Sequence, residues 1–92
     1  MAEKARISIL IKGQVQGVFF RYETKKEAEK LELTGWVKNN NDGTVEVLAE
    51  GDKVNLEKLV EWCKSGPDSA RVENVEIKWL PYTGELMKFE IR

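Results

Sequence analysis

Apolar and polar residues alternate from Arg6 to Lys12, with Ile7, Ile9 and Ile11 on one face and Ser8 and Lys12 on the other. Period-two alternation predicts a half-buried strand. The next stretch, Gly13-Gln14-Val15-Gln16-Gly17-Val18-Phe19-Phe20, breaks the pattern with two glycines and reads as a loop. From about Arg21 to Leu33 the chain is rich in Glu, Lys, Ala and Leu. Phe20, Thr24, Ala28 and Leu31 fall there at helical spacing, which predicts an amphipathic helix. Gly35 is expected to end it, and Trp36 to Asn40 reads as a second strand. Asn41-Asp42-Gly43 is a hairpin turn, because these residues tolerate positive φ. Thr44 to Glu50 then alternates as a third strand, with Val45, Val47 and Ala49 inward.

Gly51-Asp52 opens a second helix, with Asp52 at the N-cap position. Leu56, Leu59, Val60 and Cys63 follow the i, i+3, i+4, i+7 spacing of a core stripe. Gly66-Pro67 marks its exit. Val72 to Leu80 is a fourth strand with Val75, Ile77 and Trp79 on one face, and Pro81 to Gly84 turns. Met87, Phe89 and Ile91 alternate in a short fifth strand.

The order βαββαβ plus a short C-terminal strand predicts an α+β fold, the ferredoxin-like split β-α-β sandwich. Both helices should cover one face of a mainly antiparallel sheet. A length of 92 residues allows one domain, and no linker or low-complexity tract divides it. This architecture hosts unrelated activities, so function must come from the site.

Composition narrows the chemistry. With 15 basic and 16 acidic residues the net charge is −1, which argues against nucleic-acid or anionic-membrane partners. Mean hydropathy is −0.47 and no apolar run is long enough to span a bilayer. No cleavable signal fits Met1 to Ile11, Met1 reads as the initiator, and a cytoplasmic location is expected. There is no histidine, and Cys63 is the single cysteine. A Cys/His zinc site, an intramolecular disulfide and nucleophile–imidazole pairs are thereby excluded. An RNA-binding sheet would need exposed aromatics on strands one and three. Those strands offer Ser8, Leu10 and Lys12, and Thr44, Glu46, Leu48 and Glu50, an acidic face without stacking platforms.

Most single residues read as structure. Cys63 lies on the apolar stripe, the dispersed Trp36, Trp62 and Trp79 fill the core or its edge, and Met87 is expected in the core. The segment from Gly13 to Arg21 is different. It leaves a strand and opens a helix, so its backbone N–H groups and the helix dipole favour an anion. Arg21 in the first helical turn opposes that dipole unless an anion joins it. Taken alone, the loop reads equally well as an oxyanion cradle or as a purely structural turn.

Gly13-Gln14-Val15-Gln16-Gly17-Val18-Phe19-Phe20-Arg21 resembles the first signature of the acylphosphatase family, G-x-V-Q-G-V-x-F-R. Gly35-Trp36-Val37-Lys38-Asn39 through Gly43-Thr44-Val45 is similar to the second, and the resemblance extends over about the whole chain. It implies one acylphosphatase-like domain, 1–92, that hydrolyses small acyl phosphates without metal or cofactor. It puts the phosphate-binding arginine on Arg21 and the water-positioning asparagine on Asn39. The substrate phosphate-binding loop falls on Gln14, Val15, Gln16, Gly17, Val18, Phe19 and Phe20. Gln14 stands where a basic residue is frequent, and Asn40 where threonine or leucine is common. The implied partners are an acyl phosphate and inorganic phosphate, with no nucleic acid and no membrane, and the implied state is a monomer.

The chemistry suits a chain without imidazole. A carboxylate leaving group, with a conjugate-acid pKa of ~4, departs unprotonated at neutral pH. Charge in a loose phosphoryl-transfer transition state spreads over the equatorial oxygens, which amides and one guanidinium hold without titrating. The alternative reading is a non-catalytic module of the same fold that binds phosphate or carbamoyl phosphate, or a regulatory ligand sensor.

Overall fold

The computed structural model describes residues 3–92, so the reading of Met1 as initiator lies outside the described residues. The elements are β1 (Lys4–Gln14), α1 (Phe20–Lys30), β2 (Thr34–Asn39), β3 (Val45–Asp52), α2 (Lys53–Ser65), β4 (Arg71–Leu80) and β5 (Phe89–Ile91). They build one five-stranded sheet in the order β4-β1-β3-β2-β5. Neighbours run antiparallel except β2 and β5, which run parallel. This is the expected ferredoxin-like α+β sandwich.

The alternation of β1 and β3 puts Ile7, Ile9 and Ile11 beside Ala49, Val47 and Val45. All six are fully buried, together with Val37 of β2, Phe20 and Ala28 of α1, and Leu56, Leu59 and Cys63 of α2. Both helices therefore close over one face of the sheet, and each fully buried aliphatic side chain stabilises by about 1.5–3 kcal/mol. Phe20 also meets the half-buried Trp62 edge to face, with ring centroids 5.5 Å apart.

Local chemistry differs from expectation at several places. Helix α1 ends at Lys30, and Gly35 does not end it. Glu32 takes the left-handed conformation at φ 57°. There the Leu33 N–H donates to the Ala28 carbonyl (2.9 Å) and the Glu32 N–H to that of Glu29 (3.0 Å), a Schellman closure made without glycine. Gly35 lies inside β2, where a Cβ would run into the Leu48 carbonyl oxygen of β3. Asp52 stands at the N-cap of α2 without capping it. Its carboxylate is held by Lys4 Nζ at 2.7 Å.

The face of the sheet away from the helices is also corrected. Glu50, expected outward, is 2% exposed. The chain after β4 folds over it, so that its carboxylate accepts the Thr83 N–H (2.8 Å), the Thr83 hydroxyl (2.9 Å) and the Gly84 N–H (3.1 Å). Arg6 Nη1 adds a contact at 3.2 Å. Burial pushes the Glu50 carboxyl up, but the donors from Thr83 and Gly84, with Arg6, outweigh it and leave its pKa below the ordinary value. Thr44 is buried as well, its hydroxyl bonded to Asp42. Beside β1 and β3, which carry no aromatic residue, Trp36 of β2 lies on that face opposite Leu48, beneath Lys38 and Arg92.

Met87 is 88% exposed, because it lies before β5 in the strap that crosses the outer face and not in the strand. Val75, Ile77 and Trp79 do share the helix-side face, opposite Ile11, Ile9 and Ile7. As β4 is an edge strand, Ile77 and Trp79 stay exposed, with Lys53 Nζ of α2 5.3 Å from the Trp79 ring.

Candidate active site

Because β1 and β2 both pair antiparallel with β3, they run the same way and end at the same edge of the sheet. Val45 at that edge is flanked by Ile11 on one side and Asn39 on the other. The alternation of β2 points Asn39 to the helix side, with Val37. The loop leaving β1 reaches α1 over this edge, which carries the N-terminus of α1 and Arg21 to the end of β2.

Gly13 belongs to β1 and not to the loop. It sits at a bulge against β4, where a Cβ would meet the Arg71 carbonyl oxygen. Beyond it, Gly17 (φ 74°) and Phe19 (φ 61°) are left-handed. A Cβ on Gly17 would meet open space, so conformation alone requires glycine there. For Phe19, at the N-cap of α1, the same conformation costs about 1–2 kcal/mol. Left-handed residues alternating with right-handed ones are the backbone pattern that turns successive N–H groups to one side as a nest. Among the described residues, none of the N–H groups from Gln16 to Tyr22 donates to a protein acceptor; α1 begins its bonding with the Glu23 N–H to the Phe19 carbonyl. These donors and the helix dipole make a local positive field.

Side chains lock the loop in place. Gln16 Nε2 donates to the carbonyls of Asn40 (2.8 Å) and Thr44 (2.9 Å), which ties the loop to the β2–β3 hairpin. Ser69 Oγ donates to the Val18 carbonyl at 3.1 Å. Thr24 Oγ1 donates to the Phe20 carbonyl at 2.7 Å inside the first turns of α1.

A cleft of about 280 Å³ opens between loop and sheet edge, and Val15, Gly17, Phe19, Phe20, Arg21 and Asn39 line it. Gln14, Gln16 and Val18 do not line it; Gln14 is exposed at the end of β1. Tyr22 and Ile91 line it too, and sequence reasoning missed both. Tyr22 adjoins Arg21, a signal that was available. Ile91 arrives only through the parallel pairing of β5 with β2, which no local pattern announces.

Arg21 is half-buried, and its Nη1 donates weakly to the Arg92 carbonyl at 3.5 Å. Asn39 Oδ1 is buried without a hydrogen-bond partner. A buried amide oxygen left unbonded costs about 1–3 kcal/mol, so a polar group in the cleft would be welcome. Its neighbour is spent on structure: Asn40 Nδ2 donates to Thr44 Oγ1 (3.0 Å) and Glu46 Oε1 (3.2 Å). The cleft thus offers amide donors and a guanidinium opposite a free carboxamide, an arrangement for a tetrahedral oxyanion and a small polar nucleophile.

The sequence profile of the acylphosphatase family matches residues 7–91. The chain belongs to the acylphosphatase family. It is 50% identical over 88 residues to the acylphosphatase of Pelotomaculum thermopropionicum, covering 96% of each chain. The crystal structure of acylphosphatase from Bacillus subtilis superposes with a TM-score of 0.92 at 39% identity, covering 96% of this chain and 98% of that one. Full-length HypF in its phosphate- and nucleotide-bound form gives a TM-score of 0.90 at 26% identity, with 100% of this chain matching 12% of that one. Membership in the acylphosphatase family makes the chain a hydrolase.

Proposed function

We propose that the chain hydrolyses the carboxyl–phosphate bond of small acyl phosphates, giving carboxylate and inorganic phosphate. Arg21 and the N–H groups of the loop bind the phosphate, and Asn39 orients the attacking water. The observation that carries this reading is the juxtaposition of Arg21 and the unbonded Asn39 Oδ1 across one cleft.

In this mechanism the cradle places the phosphorus in line with a water accepted by the Asn39 carboxamide. The water oxygen bonds to phosphorus as the bond to the carboxylate oxygen breaks. A phosphate oxygen takes the proton of the water, and the leaving carboxylate needs none. Fixed amides and Arg21 meet the charge on the equatorial oxygens without reorganising. A metal-free path is supported by the lining of the cleft, in which, among the described residues, no carboxylate, histidine or cysteine is found. The proposal extends to a cytoplasmic monomer formed as one domain over residues 1–92.

The test is hydrolysis of acetyl phosphate with and without EDTA, together with phosphate binding. Turnover should persist in EDTA. Inorganic phosphate at a hundredfold excess over Kd should stabilise the fold by about 2.7 kcal/mol. Arg21→Ala should abolish that stabilisation, and Arg21→Lys should not restore it, since an ammonium lacks the forked donor pair. Phosphate binding without turnover of any acyl phosphate would leave the non-catalytic module, a reading favoured by the HypF likeness, in which the fold is part of a longer chain.

A further inference from the structure

A loop amide serves an anion only if its peptide plane faces the cleft. Phe19 lines the cleft, whereas Val18 and Ser69 do not. Ser69 lies in the connection between α2 and β4, 51 positions along the chain from Val18, and its Oγ donates to the Val18 carbonyl at 3.1 Å. Among the described residues no other donor reaches that carbonyl. The Val18–Phe19 peptide is trans, so the Val18 C=O and the Phe19 N–H leave one rigid plane in opposite directions. A carbonyl drawn to Ser69, outside the cleft, therefore turns the Phe19 N–H the other way, toward the cleft. The opposing force is local. Phe19 holds a left-handed φ of 61°, and turning the plane over would release it from that region and reverse its N–H. The connection that carries Ser69 is itself fixed against the loop. The Ala70 N–H donates to the Pro67 carbonyl at 2.9 Å, which closes the turn around Ser69. Gly66 stands so close to Phe20 that a Cβ there would come within 2.6 Å of the ring, and Trp62 meets the same ring edge to face.

We infer that Ser69 is a positioning residue of the phosphate cradle: its hydroxyl holds the Val18–Phe19 peptide with the Phe19 N–H aimed at the phosphate. The inference rests on the acyl phosphate reading and deepens it. A donor fixed before the substrate arrives meets charge on the equatorial oxygens without reorganising, whereas a plane that has turned over must first be turned back. The Ser69 hydrogen bond also polarises the peptide that supplies the Phe19 N–H. Alanine at position 69 removes this anchor and leaves the loop sequence, Arg21 and Asn39 as they are. Threonine keeps a hydroxyl there, and Ser69 is exposed, so both variants should fold.

Amide NMR of the isotopically labelled chain, titrated with inorganic phosphate, reads each loop N–H separately. In the native chain phosphate should move the Phe19 amide proton downfield, together with that of Arg21. In Ser69→Ala the Phe19 shift should shrink to less than about half while that of Arg21 persists, and phosphate Kd should rise about fivefold, the scale of one hydrogen bond. Ser69→Thr should restore both. The kcat/KM for acetyl phosphate should follow, about tenfold lower in Ser69→Ala and recovered in Ser69→Thr. A Phe19 amide that phosphate leaves unmoved in the native chain, an unaltered shift and Kd in Ser69→Ala, or a loss that threonine does not recover would overturn the role of Ser69. If the shifts behave as expected and no acyl phosphate is turned over, the positioning stands and hydrolysis fails. If the native chain and Ser69→Ala hydrolyse acetyl phosphate equally, with equal Phe19 shifts, hydrolysis stands and the positioning fails.

Discussion

Gln16 Nε2 lies 2.8 Å from the carbonyl oxygen of Asn40, the residue that directly follows Asn39. The same amide group reaches the Thr44 carbonyl at 2.9 Å, so one side chain clamps both ends of the hairpin to the loop. The parts of the cleft that come from β1–α1 and from β2–β3 are therefore registered by Gln16. Its side chain faces the hairpin, and among the described residues its backbone N–H meets no protein acceptor.

Gln16→Ala should lower kcat for acetyl phosphate by about 10–10², since a small misplacement between reacting groups is that costly. Phosphate affinity should fall less, because Arg21 and the amides stay on one continuous segment. The two lost hydrogen bonds should reduce stability by about 1–3 kcal/mol. Steady-state kinetics alongside urea melts would separate the effects, and a normal kcat in a destabilised variant would restrict Gln16 to folding.

Asn39→Ala should reduce kcat by ~10²–10³, the scale for losing one preorganised polar contact, with little change in phosphate Kd. Stability should hold or rise slightly, because a buried unbonded oxygen is removed. Asn40→Ala should show the converse pattern, a loss of about 1 kcal/mol with kcat nearly intact, since it breaks bonds to Thr44 and Glu46. A kcat defect confined to Asn40→Ala would shift the water to the opposite face of β2.

The strap over the outer face predicts acid sensitivity. Glu50 has a folded pKa below its unfolded value of about 4.3, so its contribution is fully present above that pH. It is lost as pH falls through the folded pKa, because the unfolded chain then binds the proton more readily. Urea melts from pH 7 to pH 3 should steepen below about pH 4 in the native chain, and Glu50→Gln should flatten that limb. Identical acid limbs would mean other carboxylates govern it.

Cys63 should be inert. Burial on the core face of α2, with Glu27 nearby, pushes its thiol up to about 12, so almost no thiolate exists at neutral pH. Alkylation should wait on unfolding, and Cys63→Ala should cost roughly 1–2 kcal/mol with unchanged kcat. Rapid stoichiometric labelling of the folded chain at pH 8 would contradict this packing.

Periodicity determined much of this protein without tertiary information. Ile7, Ile9 and Ile11, the Leu56-Leu59-Val60-Cys63 stripe and the Asn41-Asp42-Gly43 turn are local patterns, and burial and backbone sterics act on them wherever the chain goes. The segment from Gly13 to Arg21 was legible for the same reason, since glycines before a helix start imply free N–H groups. Tertiary structure decided what depends on which strand lies beside which. It made Gly35 a site of close approach to Leu48 where a helix stop was expected, buried Glu50 beneath Thr83, and exposed Met87, Ile77 and Trp79 at the margins. It also brought Asn39 to Arg21, and added Tyr22 and Ile91 to the same cleft. Each of these follows from pairing between distant segments, whose free energy is absent from any local window of sequence.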